Sequence, residues 1–233
     1  MNIKSISRKL LLAGLTAAAG IGLSSCSTTP GGITDSGLST YQSFDLPATL
    51  PSNPSNVRVK VSLSKQVVYV LEGSKPLLVM PVSIGKANTP TPKGSFKIYN
   101  KEAKHRANSY GFAYSGNQIK KTRLSKKPAG WQFKGFPLPY WCEFKSAYGF
   151  HTGWLKDAPT TRGCIRMHEN LAPKFFRLVR NGTPVSISNS QPEDATLGSN
   201  VPRPIDAGPL PNYSPAFLLN GGYYSHHKTP TFN

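Results

Sequence analysis

Apolar and polar residues begin to alternate at Val57. The run "VRVKVSL" sends Val57, Val59 and Val61 one way and Arg58 and Lys60 the other, the period-two pattern of a half-buried strand. "KQVVYVLEGSKPLLVMPVSIG" follows, two apolar, partly β-branched runs joined by Glu72-Gly73-Ser74, which predicts a hairpin. "TPTPKGSFKIYN" reads as a Pro-rich loop and then a strand near Ser95 to Tyr99. Residues 100–135 are basic, polar and Gly-spotted with no dominant period, and predict long loops with one short strand. "FPLPYWCEFKSAYGF" (136–150) predicts a core strand leading into His151.

One helix stands out, in "NLAPKFFRLVRNGTPVSI" (170–187). Asn170 is placed to cap it, and Pro173 falls in the first turn, where a missing N–H costs nothing. Leu171, Phe175 and Leu178 give it an apolar face. Arg177 and Arg180 suit its negative end, and Gly182 is placed as the left-handed stop. A strand at Val185 to Ile187 follows. The expected architecture is mostly β with one clear helix, confined to residues 57–188.

The flanks read differently. Residues 1–25 combine a positive start (Lys4, Arg8, Lys9) with a short apolar stretch from Leu10 to Leu23, the pattern of an export signal too short for a stable membrane span. The end of that signal, Leu23-Ser24-Ser25-Cys26, resembles the bacterial lipobox. That resemblance implies cleavage before Cys26 and lipid attachment there, with several acyl chains giving stable anchoring. Residues 26–56, rich in Ser, Thr, Pro and Gly, then read as a lipid anchor and flexible tether. Residues 189–233 form a Pro/Gly-rich C-terminal tail, either disordered or draped over the domain.

Charge changes the picture. The chain carries 28 Lys+Arg against 10 Asp+Glu, a formal net charge of +18, which favours anionic partners. A nucleic acid is the usual guess, but the export signal and the lack of a recognition helix or basic-aromatic repeat speak against it. Cell-envelope polymers and anionic lipid fit better. The expected location is the cell envelope, lipid-anchored and facing periplasm or wall.

Three cysteines are present, Cys26, Cys142 and Cys164. An exported chain can form disulfides, so a redox bridge between Cys142 and Cys164 and a buried, inert Cys142 are both open. "FHTGWLKDAPTTRGCIRMHEN" (150–170) carries the candidate chemistry. His151, Cys164 and His168 can be collected as three metal ligands, but no tight Cys or His spacing supports zinc. A nucleophile reading accounts for more. A thiol attacks as thiolate, and Arg162 and Arg166 flank Cys164 in sequence. Gly163 permits a sharp turn that aims successive N–H groups at an oxyanion. His151 can take the thiol proton and return it to a leaving amine. These residue types fit acyl transfer through a thioester, without metal or cofactor.

"HTG…TTRGCIRM" resembles the signature of the L,D-transpeptidase (YkuD) catalytic domain family. "SLSKQVVYVLEG", "MPVSIGKANTPTPKGSFKI", "FPLPYWCEFKSAYGFH" and "NGTPVSI" resemble further ordered motifs of the same family, so the likeness spans about residues 57 to 188. The resemblance implies a β-sandwich-like fold with Cys164 on the floor of a cleft. It implies a peptidoglycan stem peptide as substrate. Cys164 would attack the bond between the third residue and D-Ala, and the acyl group would pass to an amine or to water. It assigns Cys164 as nucleophile and His151 as base. Thr152, or a nearby carbonyl, would orient the imidazole, and Gly163 and Cys164 would supply oxyanion donors. Arg166 would hold a carboxylate or shape the loop, and Tyr140 and Trp141 would line the cleft or pack in the core. Carbapenem-type inhibitors are expected. Where the family pattern has His before Gly-Cys, this chain has Arg162, which cannot act as a base but can attract carboxylates. The alternative is therefore a catalytically weak domain that binds peptidoglycan.

Overall fold

The computed structural model describes residues 35–206, 214–225 and 229–233. The export signal and Cys26 lie outside the described residues. A helix α1 (Asp35–Ser43) opens the described chain. Ten strands follow: β1 (Val57–Ser62), β2 (Val67–Glu72), β3 (Lys75–Ser83), β4 (Gly94–Lys97), β5 (Asn100–Ser115), β6 (Gln118–Arg123), β7 (Gln132–Lys145), β8 (Tyr148–Thr152), β9 (Ile165–Met167) and β10 (Pro184–Ser188). Helix α2 (Ala172–Leu178) precedes β10, and two short helices, α3 (Pro215–Leu219) and α4 (Gly222–Ser225), lie near the C-terminus.

The strands pair in the order β4-β10-β1-β2-β3-β9-β8-β7-β5-β6. The two halves of this sheet share one core. Val57, Val59, Val61, Val68 and Val70 come from one half, Cys142, Phe144, Phe150, Ile165 and Met167 from the other, and α2 adds Ala172, Phe175 and Leu178. Aromatic contacts knit these parts: Phe96 on Phe144 at 5.3 Å, Phe144 on Phe150 at 5.4 Å and Phe150 on Phe175 at 4.6 Å between ring centroids. The expected mostly β, sandwich-like domain with a helix after the cysteine loop is what the structure shows.

The early hairpin forms as read, with the turn at Gly73 (φ +61°). Residues 100–135 do not. Most of them are strand, all of β5 and β6 and the start of β7, a long antiparallel ribbon interrupted by a register shift between Arg106 and Gly111. Charged side chains on both faces of this ribbon hide its period. Residues 136–150 likewise form two strands rather than one, turning at Ala147 (φ +64°).

The helix ends differ too. Leu171, not Asn170, occupies the N-cap of α2. The Asn170 amide instead donates to the carbonyls of Gln42 and Phe44, at 2.8 Å each. The helix stops at Leu178, and Gly182 (φ +93°) serves the later turn into β10.

Both flanks pack on the domain, so the tether reading fails from residue 35 onward. Tyr41 is 1% exposed, its ring stacked on Trp154 at 4.2 Å and its hydroxyl accepting from the Leu155 N–H at 2.9 Å. After β10 the chain drapes over the outer face of β2: Leu197 and Val201 pack on Val67, Tyr69 and Leu71. Asp194 accepts from the Tyr69 hydroxyl at 2.8 Å. No helix among the described residues is long and apolar enough to cross a membrane.

Candidate active site

The site is built by two parallel neighbours, β8 and β9. Phe150 pairs with Ile165 and His151 with Arg166. Alternation sends Phe150 and Ile165 into the core, where both are 0% exposed. It therefore turns His151 and Arg166 to the opposite face, and Cys164, two residues before Arg166, joins them there. The Cys164 Sγ lies 3.7 Å from the Ala147 carbonyl oxygen, and the Gly149 N–H is the backbone donor that favours its thiolate.

The turn before the cysteine is held by Thr161. Its hydroxyl donates to the Cys164 carbonyl at 2.6 Å and accepts from the Gly163 N–H at 3.1 Å. Gly163 has φ +106°, and a Cβ there would come 2.4 Å from the Tyr148 ring. The reading of Gly163 as an oxyanion donor thus needs correction in this state, because Thr161 already takes its N–H. The Thr161 carbonyl accepts from Lys86 N–H at 3.1 Å and the Thr89 hydroxyl at 3.2 Å, tying the cysteine loop to the Pro-rich segment.

His151 is buried. Its Nδ1 sits 2.8 Å from the Thr152 carbonyl, so the backbone of Thr152, not its hydroxyl, orients the ring. With the proton on Nδ1, Nε2 keeps its lone pair. Burial, helped by the Arg166 guanidinium, pushes the imidazole down to about 3. Burial also pushes the Cys164 thiol above its ordinary value, against the Gly149 N–H and the Arg166 charge, which pull it down. The resting pair at neutral pH is thiol and neutral imidazole.

The thiol opens onto a cavity of about 430 Å³, lined among others by His105, Tyr110, Trp141, Tyr148 and Arg162. A larger cleft of about 510 Å³ lies between residues 46–49, 76–79 and 197–202, but no titratable side chain lines it.

The sequence-assigned residues divide between these surroundings. Trp141 lines the cavity. Tyr140 instead turns to the core side, its ring edge-on to Phe176 at 5.6 Å. Arg162 lies over the Tyr110 ring at 4.1 Å, so Arg166 rather than Arg162 supplies the positive charge acting on the thiol. Arg166 is turned away from the cavity lining. Its guanidinium donates to the Trp154 carbonyl at 3.1 Å and its stem covers Gly153, which fits loop shaping and not carboxylate capture.

His168 donates from Nε2 to the Tyr41 carbonyl (3.0 Å) and accepts at Nδ1 from the Asn170 N–H (3.2 Å), so it braces α1. Among the described residues no three His, Cys, Asp or Glu side chains cluster as metal ligands. Cys142 and Cys164 are both free thiols. Cys142 pairs with Phe150, which pairs with Ile165, so two strand spacings of about 4.8 Å separate its position from β9. That is beyond disulfide reach without backbone movement. Cys142 is 0% exposed, and burial pushes its thiol up to about 12. The inert reading stands and the redox bridge does not.

Thr161, His105 and Tyr110 escaped the sequence reading. Thr161 stood in the quoted TTRGC run, but its role depends on a local turn that no spacing reveals. His105 and Tyr110 reach the cavity only through the pairing of β5 with β7.

Comparisons with known proteins agree on one family. The L,D-transpeptidase catalytic domain family, YkuD, matches residues 56–187. A putative L,D-transpeptidase YkuD of Bacillus licheniformis is 27% identical over 162 residues, covering 67% of this chain and 81% of the relative. Its Bacillus subtilis counterpart is 25% identical over 158 residues, covering 65% and 78%. Among solved structures, an L,D-transpeptidase from Stackebrandtia nassauensis shares 21% identity at a TM-score of 0.44, covering 67% of this chain and 66% of that one. With 132 consecutive residues matched by the family, in a region that contains the Cys164 loop, the chain belongs to the L,D-transpeptidase catalytic domain family.

Proposed function

We propose that this protein is a cell-wall L,D-transpeptidase that works by thioester exchange at Cys164. The donor is a peptidoglycan stem peptide ending in D-Ala. As the Cys164 sulfur adds to the carbonyl of the third residue, its proton passes to Nε2 of His151. The oxyanion forms beside the Cys164 N–H. The carbonyl then re-forms, the bond to D-Ala breaks, and the departing amine takes the proton from His151. An acceptor amine, or water, attacks the thioester and restores the thiol. No cofactor is required for these steps.

The observation that carries this reading is the placement of Cys164 at an open cavity, on the same sheet face as a buried imidazole locked by the Thr152 carbonyl. A raised thiol beside a neutral imidazole makes proton transfer concerted with attack, so the sulfur is nucleophilic mainly when a carbonyl is in place. Lipid attachment at Cys26 and a position in the envelope, at a membrane surface facing the wall, belong to the same proposal. They rest on the signal pattern and the basic charge.

The same raised thiol, with Arg162 before Gly163, favours a second reading, a weakly active peptidoglycan-binding domain. Intact-mass spectrometry with a carbapenem separates the two. One adduct on the wild-type chain, absent in Cys164→Ala, supports the transpeptidase. No adduct in wild type but one in Arg162→His supports the binding domain.

A further inference from the structure

The cavity is lined by a histidine that the mechanism above does not use. His105 lines it together with Cys164. Its ring lies flat on Trp141, with centroids 4.7 Å apart and an interplanar angle of 14°. Its Nδ1 is 2.8 Å from the Glu102 carboxylate, and its side chain is 16% exposed. A carboxylate at Nδ1 demands the N–H there, which leaves the Nε2 lone pair as the acceptor.

The position is held from behind. The Tyr224 hydroxyl donates to the His105 carbonyl, and Arg106 donates to the carbonyls of Leu218 (3.0 Å), Leu219 (3.3 Å) and Asn220 (3.2 Å). The register shift of β5 begins just after it, between Arg106 and Gly111. Irregular pairing of this kind commonly re-aims a side chain at a site.

The chemistry of the second half-reaction needs such a group. An acceptor amine arrives as an ammonium ion and has no lone pair until a proton leaves. His151 is buried, and burial together with the Arg166 charge disfavours its protonated form. It suits a proton handed over within the attack on a carbonyl, not the stripping of an ammonium ion in the open cavity. We infer that His105, oriented by Glu102 and stacked on Trp141, is a second proton acceptor that prepares the acceptor amine for attack on the Cys164 thioester.

The step balances. Nε2 of His105 takes one proton from the ammonium ion. The amine nitrogen bonds to the thioester carbon, and the carbon–sulfur bond breaks. The second amine proton passes by way of His151 to the leaving thiolate, and His105 returns its proton to water through the cavity. Glu102 on its own strand bonds His105, Trp141 on β7 stacks on it, and Glu143 on β7, Tyr148 on β8, Tyr110, Arg162 and Cys164 line the same cavity; His151 is close enough to feel its charge, and Tyr224 holds its carbonyl.

This inference rests on the acyl-transfer reading, and the test separates the two. The full chain is acylated with a stem tetrapeptide, D-Ala release is followed, and the thioester is seen by intact mass. It is then partitioned between a strongly basic alkylamine and hydroxylamine, which is largely unprotonated at neutral pH. His105→Phe keeps an aromatic ring on Trp141, and its melting curve checks the fold. The expected result is that His105→Phe slows alkylamine transfer at least tenfold more than it slows D-Ala release. Hydroxylamine transfer suffers no such loss, and the alkylamine defect shrinks as pH is raised. Equal losses with both amines, or none, overturn the assignment of His105. No thioester on the wild-type chain overturns acyl transfer itself, and this assignment with it.

Discussion

The two flanks of Cys164 are built from opposite materials. Behind it lie His151, Arg166, Tyr41, Trp154 and His168, ordered by backbone carbonyls and dry enough that His151 and His168 are pushed down to about 3 and about 4. In front lie His105, Tyr110, Glu143 and Arg162, facing an open cavity. The buried flank fixes protonation states, because a low-dielectric setting magnifies every charge. The open flank lines a cavity that can meet a ligand, but its solvent-facing charges act weakly one by one. Substitutions behind the thiol should therefore change rate and stability, and substitutions in front should change affinity and acceptor choice.

The strongest attempt to break this contrast removes the reacting pair. Cys164→Ala should abolish D-Ala release from a stem tetrapeptide. His151→Gln should lower the release rate about 10²–10⁴-fold, the usual worth of a positioned base. A His151→Gln enzyme within fivefold of wild type would move the base elsewhere, and the buried flank would lose its assigned role.

Thr161→Val comes next. It strips the hydroxyl that bonds both the Gly163 N–H and the Cys164 carbonyl while nearly preserving shape. Leaving those groups unpaired should cost about 1–3 kcal/mol in urea unfolding. Displacing the nucleophile should also slow acylation on the order of 10²-fold. A loss of stability without a loss of rate would make Thr161 a purely structural brace.

The third test uses pH. His151 and His168 lie below the ordinary 6.5 when folded, so the unfolded chain binds more protons as pH falls below that value. Stability therefore rises with pH through this window and is lost on acidification from about 6.5 toward 4 and 3. The slope is at most about 1.4 kcal/mol per pH unit for each proton. Urea midpoints between pH 7 and 5 should show it, and His168→Gln should reduce it. A flat profile would mean that the buried flank admits charge.

How far the sequence revealed these flanks follows from how each is encoded. His151, Cys164 and Gly163 sit within one short run, and β1 to β3 alternate apolar and polar residues cleanly enough to be read. The parallel register of β8 and β9, which puts His151 and Cys164 on one face, is a tertiary fact. His105 was hidden for a further reason. Its strand carries the charged residues Lys101, Glu102, Lys104 and Arg106 with no apolar alternation, and its contact with Trp141 depends on a pairing with β7 that includes Tyr140 at φ +57°. Asn170 and Tyr41 misled for the opposite reason. Local rules made one a cap and the other part of a tether, and long-range bonds prevailed, from Asn170 to the carbonyls of Gln42 and Phe44 and from the Leu155 N–H to Tyr41.

The smallest effect is expected at Arg162, and it is the sharpest probe of the open flank. Its guanidinium lies 4.1 Å from the centroid of the Tyr110 ring, while Arg123 approaches the same ring at 5.0 Å. An exposed cation–π contact is worth about 0.5–1 kcal/mol. A carboxylate drawn to the exposed arginine would be screened by salt within about 10 Å at 0.1 M. Arg162→Gln should thus raise KM for a stem peptide about two- to fivefold at low salt, leave kcat within twofold, and lose its effect as salt increases. Should kcat fall instead, with KM unmoved, Arg162 would be acting on the thiol after all. The division between a flank that sets chemistry and a flank that reads the ligand would then fail at the residue where this chain departs from its family's pattern.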